Sequence, residues 1–250
     1  MSRTLFALLT LSLVLLGGCS TTPSNEEIDT TKAAEANAQL GLRYMQQSNY
    51  AVAMQKFKKA LSFDSRYGPA HHYLAELYRR LEKYEDADKH YREALYYSDD
   101  DSSLYNNYGG FLCGRERYKE GEEQFLKVLK NPVYPRIDQV YENLGVCVER
   151  LPNLERAESY LRSALKINPR LPKALLAMAR VSFAKGEYLS TRAYLQRYLG
   201  EARHTAETLW LGIRAERLLG DKNAVSSYAL MLKANFPDSA ETKLYLQSGG

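Results

Sequence analysis

Residues 138–171 read DQVYENLGVCVERLPNLERAESYLRSALKINPRL, and this stretch decides the fold. Leu144, Gly145 and Val148 fall at helical spacing in its first half. Leu154, Ala157, Leu161 and Ala164 do the same in its second half, before Asn168-Pro169. Apolar residues three and four apart make one face of a helix, and a proline past the last of them stops it. The stretch therefore reads as two amphipathic helices joined by a short turn. The pattern recurs outward in both directions. Upstream, Leu40-Gly41, Tyr44, Tyr50, Ala53, Phe57 and Ala60 return 34 residues later as Leu74-Ala75, Tyr78, Tyr84, Ala87, Tyr91 and Ala94. They return again as Tyr108-Gly109, Leu112, Tyr118, Gly121, Phe125 and Val128, followed by a two-residue insertion within Asn131-Pro132-Val133-Tyr134-Pro135. Downstream lie Met178-Ala179, Tyr188, Thr191, Leu195 and Tyr198. A last copy has Leu211-Gly212, Ala215, Ala224, Tyr228, Met231 and Pro237.

This spacing resembles the tetratricopeptide repeat, with its Leu-Gly-x-x-Tyr, Ala-x-x-x-Phe and Pro positions at a 34-residue period. The resemblance implies an all-α, right-handed superhelical solenoid of six helix pairs. The units fall at 34–67, 68–101, 102–135, 138–171, 172–204 and 205–237, with residues 238–250 forming a capping helix and tail. A repeat cannot cover its own apolar face, so an end cap is expected, and Leu244 and Leu246 suit one. Small residues (Gly41, Ala75, Gly109, Gly145, Ala179, Gly212) belong where two helices cross closely. Large ones fill the space beside them. Tyrosine outnumbers the other aromatics, at 20 against 7 Phe and 1 Trp. A half-wet repeat helix favours a ring whose hydroxyl reaches water.

The net charge is +4, and removing residues 1–18 takes away only Arg3, leaving 33 − 30 = +3. That bias is too mild for nucleic acid, and no basic run with interleaved aromatics offsets it. The N-terminus is more telling. Met-Ser-Arg precedes an apolar run from Leu5 to Leu16, too short to span a bilayer comfortably, and then Gly17-Gly18-Cys19. Leu16-Gly17-Gly18-Cys19 resembles the lipobox of bacterial lipoproteins, which implies cleavage after residue 18 and lipidation of Cys19. Ser20 stands where an inner-membrane retention signal would have Asp, so the periplasmic face of the outer membrane is expected. Residues 20–33 are polar and read as a tether reaching at most about 50 Å.

Several stretches go beyond the general repeat. Asn106-Asn107-Tyr108-Gly109-Gly110-Phe111-Leu112-Cys113, the Asn131–Pro135 insertion, Glu142-Asn143-Leu144-Gly145 and Leu211-Gly212-Ile213-Arg214 resemble the PilF/PilW family of type IV pilus biogenesis lipoproteins. The resemblance covers the whole chain, with Cys19 at the family's lipidated position. It implies a pilotin: a lipid-anchored scaffold that binds a secretin subunit and promotes its outer-membrane localisation and multimerisation. Periodicity alone supports only a scaffold, so a periplasmic organiser of another envelope or peptidoglycan assembly is the alternative.

No phosphate loop, His-Glu-x-x-His or Gly-x-Ser-x-Gly occurs, so neither enzyme, cofactor nor small-molecule substrate is expected. Adjacent His71 and His72 point about 100° apart on a helix, which argues against a metal pair. Cys113 and Cys147 lie on first helices of neighbouring repeats. An oxidising compartment favours a disulfide, with two buried thiols as the alternative. Inner-surface positions come from the first helix of each unit. They nominate Ala38, Leu42 and Met45 as an apolar groove, with His72, Glu76, Arg79 and Asn106 beside it for a partner strand or amphipathic helix.

Overall fold

The computed structural model describes residues 29–98 and 100–249. Within them the chain forms thirteen helices. These are α1 (Thr30–Gln46), α2 (Tyr50–Phe63), α3 (Gly68–Arg80), α4 (Tyr84–Tyr97), α5 (Ser102–Gly114), α6 (Tyr118–Val128) and α7 (Ile137–Val148). After them come α8 (Leu154–Ile167), α9 (Pro172–Ala184), α10 (Tyr188–Leu199), α11 (Ala206–Leu219), α12 (Lys222–Asn235) and α13 (Ala240–Gln247). Odd- and even-numbered helices pair from α1/α2 to α11/α12, each pair stacks on the next, and α13 covers the end of the last pair.

One expectation is corrected at the N-terminus. The tether does not run to residue 33, because α1 begins at Thr30, capped by the Asp29 carboxylate accepting from the Lys32 amide at 3.1 Å. The polar sequence hid a helix start, since capping residues are polar by necessity. Ala34 is already fully buried against Ala38, Ala60 and Ala70. Cys19 and the rest of residues 1–28 lie outside the described residues.

The turns inside the pairs repeat one backbone device. Ser48, Glu82 and Glu116, each 34 residues apart, have φ of 60°, 58° and 61°. Gly186 and Gly220 take the same place with φ of 78° and 80°. A left-handed residue lets the chain reverse tightly, and only at the last two did glycine remove the steric cost. Between pairs, prolines at the first turn of α3 and α9 restart the helices.

Buried carboxylates tie the repeats together. Glu122 on α6 accepts from Arg156 and Tyr160 on α8. Glu149 binds Arg180 at 2.5 Å, Glu158 binds Lys185 at 2.6 Å, and Glu216 takes Arg192. Glu142 accepts from the Ala174 amide at 2.9 Å, satisfying a free N–H at the start of α9. Burial raises the Glu142 and Glu149 carboxyls above their usual range. The tyrosine expectation changes here. Tyr91 is 0% exposed, and its hydroxyl donates to Glu76 instead of reaching water. Tyr108 likewise donates to Asp88 at 2.8 Å. Each such phenol adds a donor to a carboxylate that also holds arginine, Arg79 on Glu76 and Arg92 with Arg117 on Asp88.

Candidate functional site

The structure moves the candidate groove. Ala38 is 0% exposed, packed with Ala34, Ala60 and Ala70, and Met45 is only 4% exposed, packed against Phe57, Leu74 and Leu77, with Leu42 half-buried against the latter cluster. Helix α1 lies directly on α3, so these inner-surface positions are consumed by repeat stacking. Ala38 and Met45 are core, so of the three apolar residues nominated in repeat one Leu42 alone keeps part of its side chain at the surface.

His72, Glu76 and Arg79 also have local partners. The Asn107 amide donates to His72 Nε2 at 3.0 Å, leaving Nδ1–H to face the Asp101 carboxylate 3.9 Å away. Burial lowers the His72 pKa. Its place is between α3 and α5, where it fixes their register. Glu76 holds Arg79 at 2.9 Å and accepts from Tyr91, so only the Arg79 head is substantially exposed.

One histidine pairing was not legible in sequence. His71 and His72 do point apart, but the fold brings His90 of α4 to His71, with Nδ1 atoms 2.9 Å apart. His71 Nε2 donates to the Ser65 carbonyl at 3.0 Å, so His71 Nδ1 accepts from His90. Tyr78 stacks on His90 with ring centroids 5.4 Å apart. Among the described residues, no third His, Cys, Asp or Glu completes a metal-holding group. Burial and then the neighbouring His71 lower His90 from 6.5 to about 4, with Lys89 adding and Asp86 and Glu93 opposing. The unfolded chain therefore takes up this proton first. Its contribution to stability is complete above pH 6.5 and is lost as pH falls towards about 4. Melting temperatures of His90→Gln should consequently fall less than those of wild type between pH 7 and pH 4.5. Equal slopes would show that His90 titrates normally.

Asn106 is the nominated residue that does line a recess. Helices α5 and α7, with the Asn131–Pro135 insertion, enclose about 550 Å³ bordered by Asp101, Asn106, Asn107, Tyr134, Arg136 and Gln139. The insertion is pinned by Asn131, whose amide donates to Ser102 at 3.0 Å. Further along the same seam a second recess of about 630 Å³ is bordered by Gly110, Gly114, Asn143, Arg150, Lys173 and Arg180. Between α5 and α7 the Cys113–Cys147 disulfide bridges repeats three and four, with Cα atoms 5.5 Å apart. It lies at the wall of the second recess. Of the two alternatives open in sequence, the structure holds the bridge.

Comparison with known proteins fits this architecture. The tetratricopeptide-repeat model matches residues 69–101 and 138–171. The type IV pilus assembly protein PilF of Pseudomonas aeruginosa is 33% identical over 239 residues, covering 94% of this chain and 95% of PilF. This chain belongs to the PilF/PilW family. The solved structure of Pseudomonas aeruginosa PilF is similar at a TM-score of 0.77 with 32% identity, over 88% of this chain and 99% of PilF. PilW, a widely conserved type IV pilus biogenesis factor, is similar at 0.77 and 32%, over 85% of this chain and 98% of PilW.

Within this PilF/PilW chain, sequence reasoning missed Gly110's neighbours in the second recess: Asn143, Arg150, Lys173 and Arg180. Asn143 and Arg150 fall outside the usual inner-surface positions of the repeat, and Lys173 and Arg180 sit in the fifth copy, whose motif is weak. The available signal was the pair of glycines in α5, Gly110 and Gly114, that no repeat position requires.

Proposed function

We propose that this chain is a pilotin, a lipid-anchored scaffold and not an enzyme. It binds the secretin subunit of a type IV pilus machine and promotes its outer-membrane localisation and multimerisation. The observation that carries this reading is 33% sequence identity to Pseudomonas aeruginosa PilF, a type IV pilus assembly protein, along nearly the whole length of both chains. The lipobox ending in Cys19 supports the anchor. No helix among the described residues is long and apolar enough to cross a membrane. Attachment then rests on acyl chains, each methylene contributing about 0.8 kcal/mol, with more than one chain needed for stable binding. With α1 starting at Thr30, nine residues (20–28) separate Cys19 from the Asp29 cap and reach at most about 30 Å. The scaffold is thereby kept close to the membrane surface where secretin subunits assemble.

Cys19→Ala should yield a folded protein in the soluble periplasmic fraction, with secretin multimers reduced as in a deletion strain. The secretin should co-purify with wild type from detergent-solubilised envelopes. A wild-type protein that captures no secretin, in cells whose secretin multimers survive the deletion, would sink the proposal.

A further inference from the structure

Antiparallel pairing puts the start of every odd-numbered helix and the end of its even-numbered partner at the same edge of the solenoid. The tether enters α1 at that edge, and the linkers between pairs lie there too. Those at 64–67, 98–101 and 168–171 have four residues, where that at 129–136 has eight. The longer linker is stiff. Pro132 and Pro135 restrict its backbone, and Asn131 closes its base, accepting from the Val133 amide at 3.2 Å and donating to Ser102 at 3.0 Å. Its tip is nonetheless apolar and in water, with Val133 82% exposed. Tyr96 near the end of α4 and Ile167 at the end of α8 are 81% and 52% exposed at the same edge. Three consecutive units thus each hold a large apolar side chain out of the fold, where it gains nothing from packing within the chain.

Cations accompany two of these tips. Lys130, Arg136, Lys166, Arg170, Lys173 and Arg197 lie on the linkers of Val133 and Ile167 or on the helix ends beside them, and all six are exposed. Arg197 donates to the Pro169 carbonyl at 3.2 Å, which keeps it over the second linker. The carboxylates that face these cations are mostly withdrawn. Asp138 is half-buried and accepts from Asn168 at 3.1 Å, and Glu142 is buried on the Ala174 amide. Glu201 is half-buried and holds Arg170 at 2.9 Å, and Asp101 caps α5. Of the carboxylates facing the six, Asp100 alone is exposed, on the preceding linker, where it bounds the patch. The outermost layer of this edge, from α6 to α10, is therefore cationic with apolar tips. At the opposite edge the signs alternate, as in Arg80-Leu81-Glu82-Lys83-Tyr84-Glu85-Asp86.

We infer that this edge rests on a phospholipid bilayer with anionic headgroups. Val133 and Ile167 enter the boundary between headgroups and acyl chains, and the six cations lie over the phosphates. A protein partner would call for one continuous apolar patch, whereas these tips stand apart on projecting linkers. Separate apolar side chains among cations suit a soft, anionic interface that closes around each of them. The tether fits this placement, since it leaves the fold at the same edge and holds the start of α1 within about 30 Å of the surface. Acyl chains on a flexible tether retain the scaffold but do not orient it. The edge contact does, turning the inner surface of the repeats sideways along the membrane. This rests on the lipid-anchored reading above and adds a second, orienting contact with the same membrane.

The test reconstitutes the lipoprotein, with its own acyl chains, into vesicles of phosphatidylcholine and phosphatidylglycerol whose brominated acyl chains quench tryptophan on contact. Trp210 is the single tryptophan and lies half-buried within α11, so wild type gives the baseline. Val133→Trp and Ile167→Trp should each lose at least half of their added fluorescence. Glu155→Trp, at the opposite edge, should lose none. All three sites are exposed, and unchanged helical circular dichroism confirms folding. Omitting phosphatidylglycerol should at least halve the quenching of Val133→Trp, as should combining it with Lys130→Gln, Arg136→Gln, Lys166→Gln and Lys173→Gln. Absence of quenching at Val133→Trp and Ile167→Trp would overturn the inference. So would equal quenching at Glu155→Trp, or quenching indifferent to phosphatidylglycerol and to the four cations. Flotation with the vesicles and secretin capture are measured alongside on wild type. Flotation and capture without quenching defeat this inference alone. Quenching without secretin capture defeats the pilotin reading alone.

Discussion

Gly145→Leu is expected to lower the melting temperature by about 10 °C, or to prevent the fourth repeat from closing. A Cβ at this position would lie 2.5 Å from Leu161 Cγ, 2.6 Å from Leu161 Cδ2 and 3.2 Å from the Leu161 amide nitrogen. The side-chain contacts could relax by a rotamer change, but the amide belongs to α8 and can only retreat with the helix. Overpacking of this kind commonly costs about 1–3 kcal/mol. For a chain of this size each kcal/mol is about 2–4 °C. Leu144 and Leu161 are fully buried in the largest cluster of the molecule, shared with α6 and α9, so prising α7 from α8 disturbs both neighbouring repeats. Thermal unfolding followed by circular dichroism is the measurement. Gly110→Leu on α5 is the internal control, since a Cβ there meets nothing within 4 Å. If both variants melt together, the close crossing at Gly145 is wrongly assigned.

Removing the disulfide should have an effect of similar size. Cys113 and Cys147 are 34 residues apart in sequence, and closing a loop of that length restricts the unfolded chain by about 3–4 kcal/mol. Cys113→Ser with Cys147→Ser should therefore melt about 10 °C lower than oxidised wild type. Reductant should bring wild type down to the level of the double variant while leaving the variant unchanged. The bridge joins α5 to α7, whose own contact is slight beside that within each helix pair. In a nearly one-dimensional array, such a staple matters most where neighbouring units hold each other least. A double variant that melts with oxidised wild type would mean that stacking alone holds repeats three and four.

The two expectations differ in how much of them was visible before the fold. Gly145 could be placed at a helix crossing from sequence because the 34-residue period repeats its environment six times, and a small residue at that phase has one packing explanation. The same holds for the buried Ala53, Phe57, Ala87, Ala157 and Leu161. These are local consequences: helical spacing within a unit and the period between units fix which face is apolar.

Contacts between units were not legible in this way. The period specifies that units stack but not which inner-surface side chains the stacking consumes, so Ala38 and Met45 were taken for a groove when α3 covers them. Tyr91 and Glu76, His71 and His90, and Glu142 and the Ala174 amide come from different helices, and the third pair from different repeats. Their pairing depends on the rotation of one helix against another by less than a residue's width. Both Cys113 and Cys147 could be placed on neighbouring first helices, yet only the stacked structure puts their Cα atoms 5.5 Å apart. Helix pairs, repeat number and family thus came from the sequence alone, because they rest on short-range periodicity and on motifs read in order. The recesses beside Asn106, Gly110 and Arg150 came from tertiary structure, because a concave surface is what remains after every stacked side chain has taken its place.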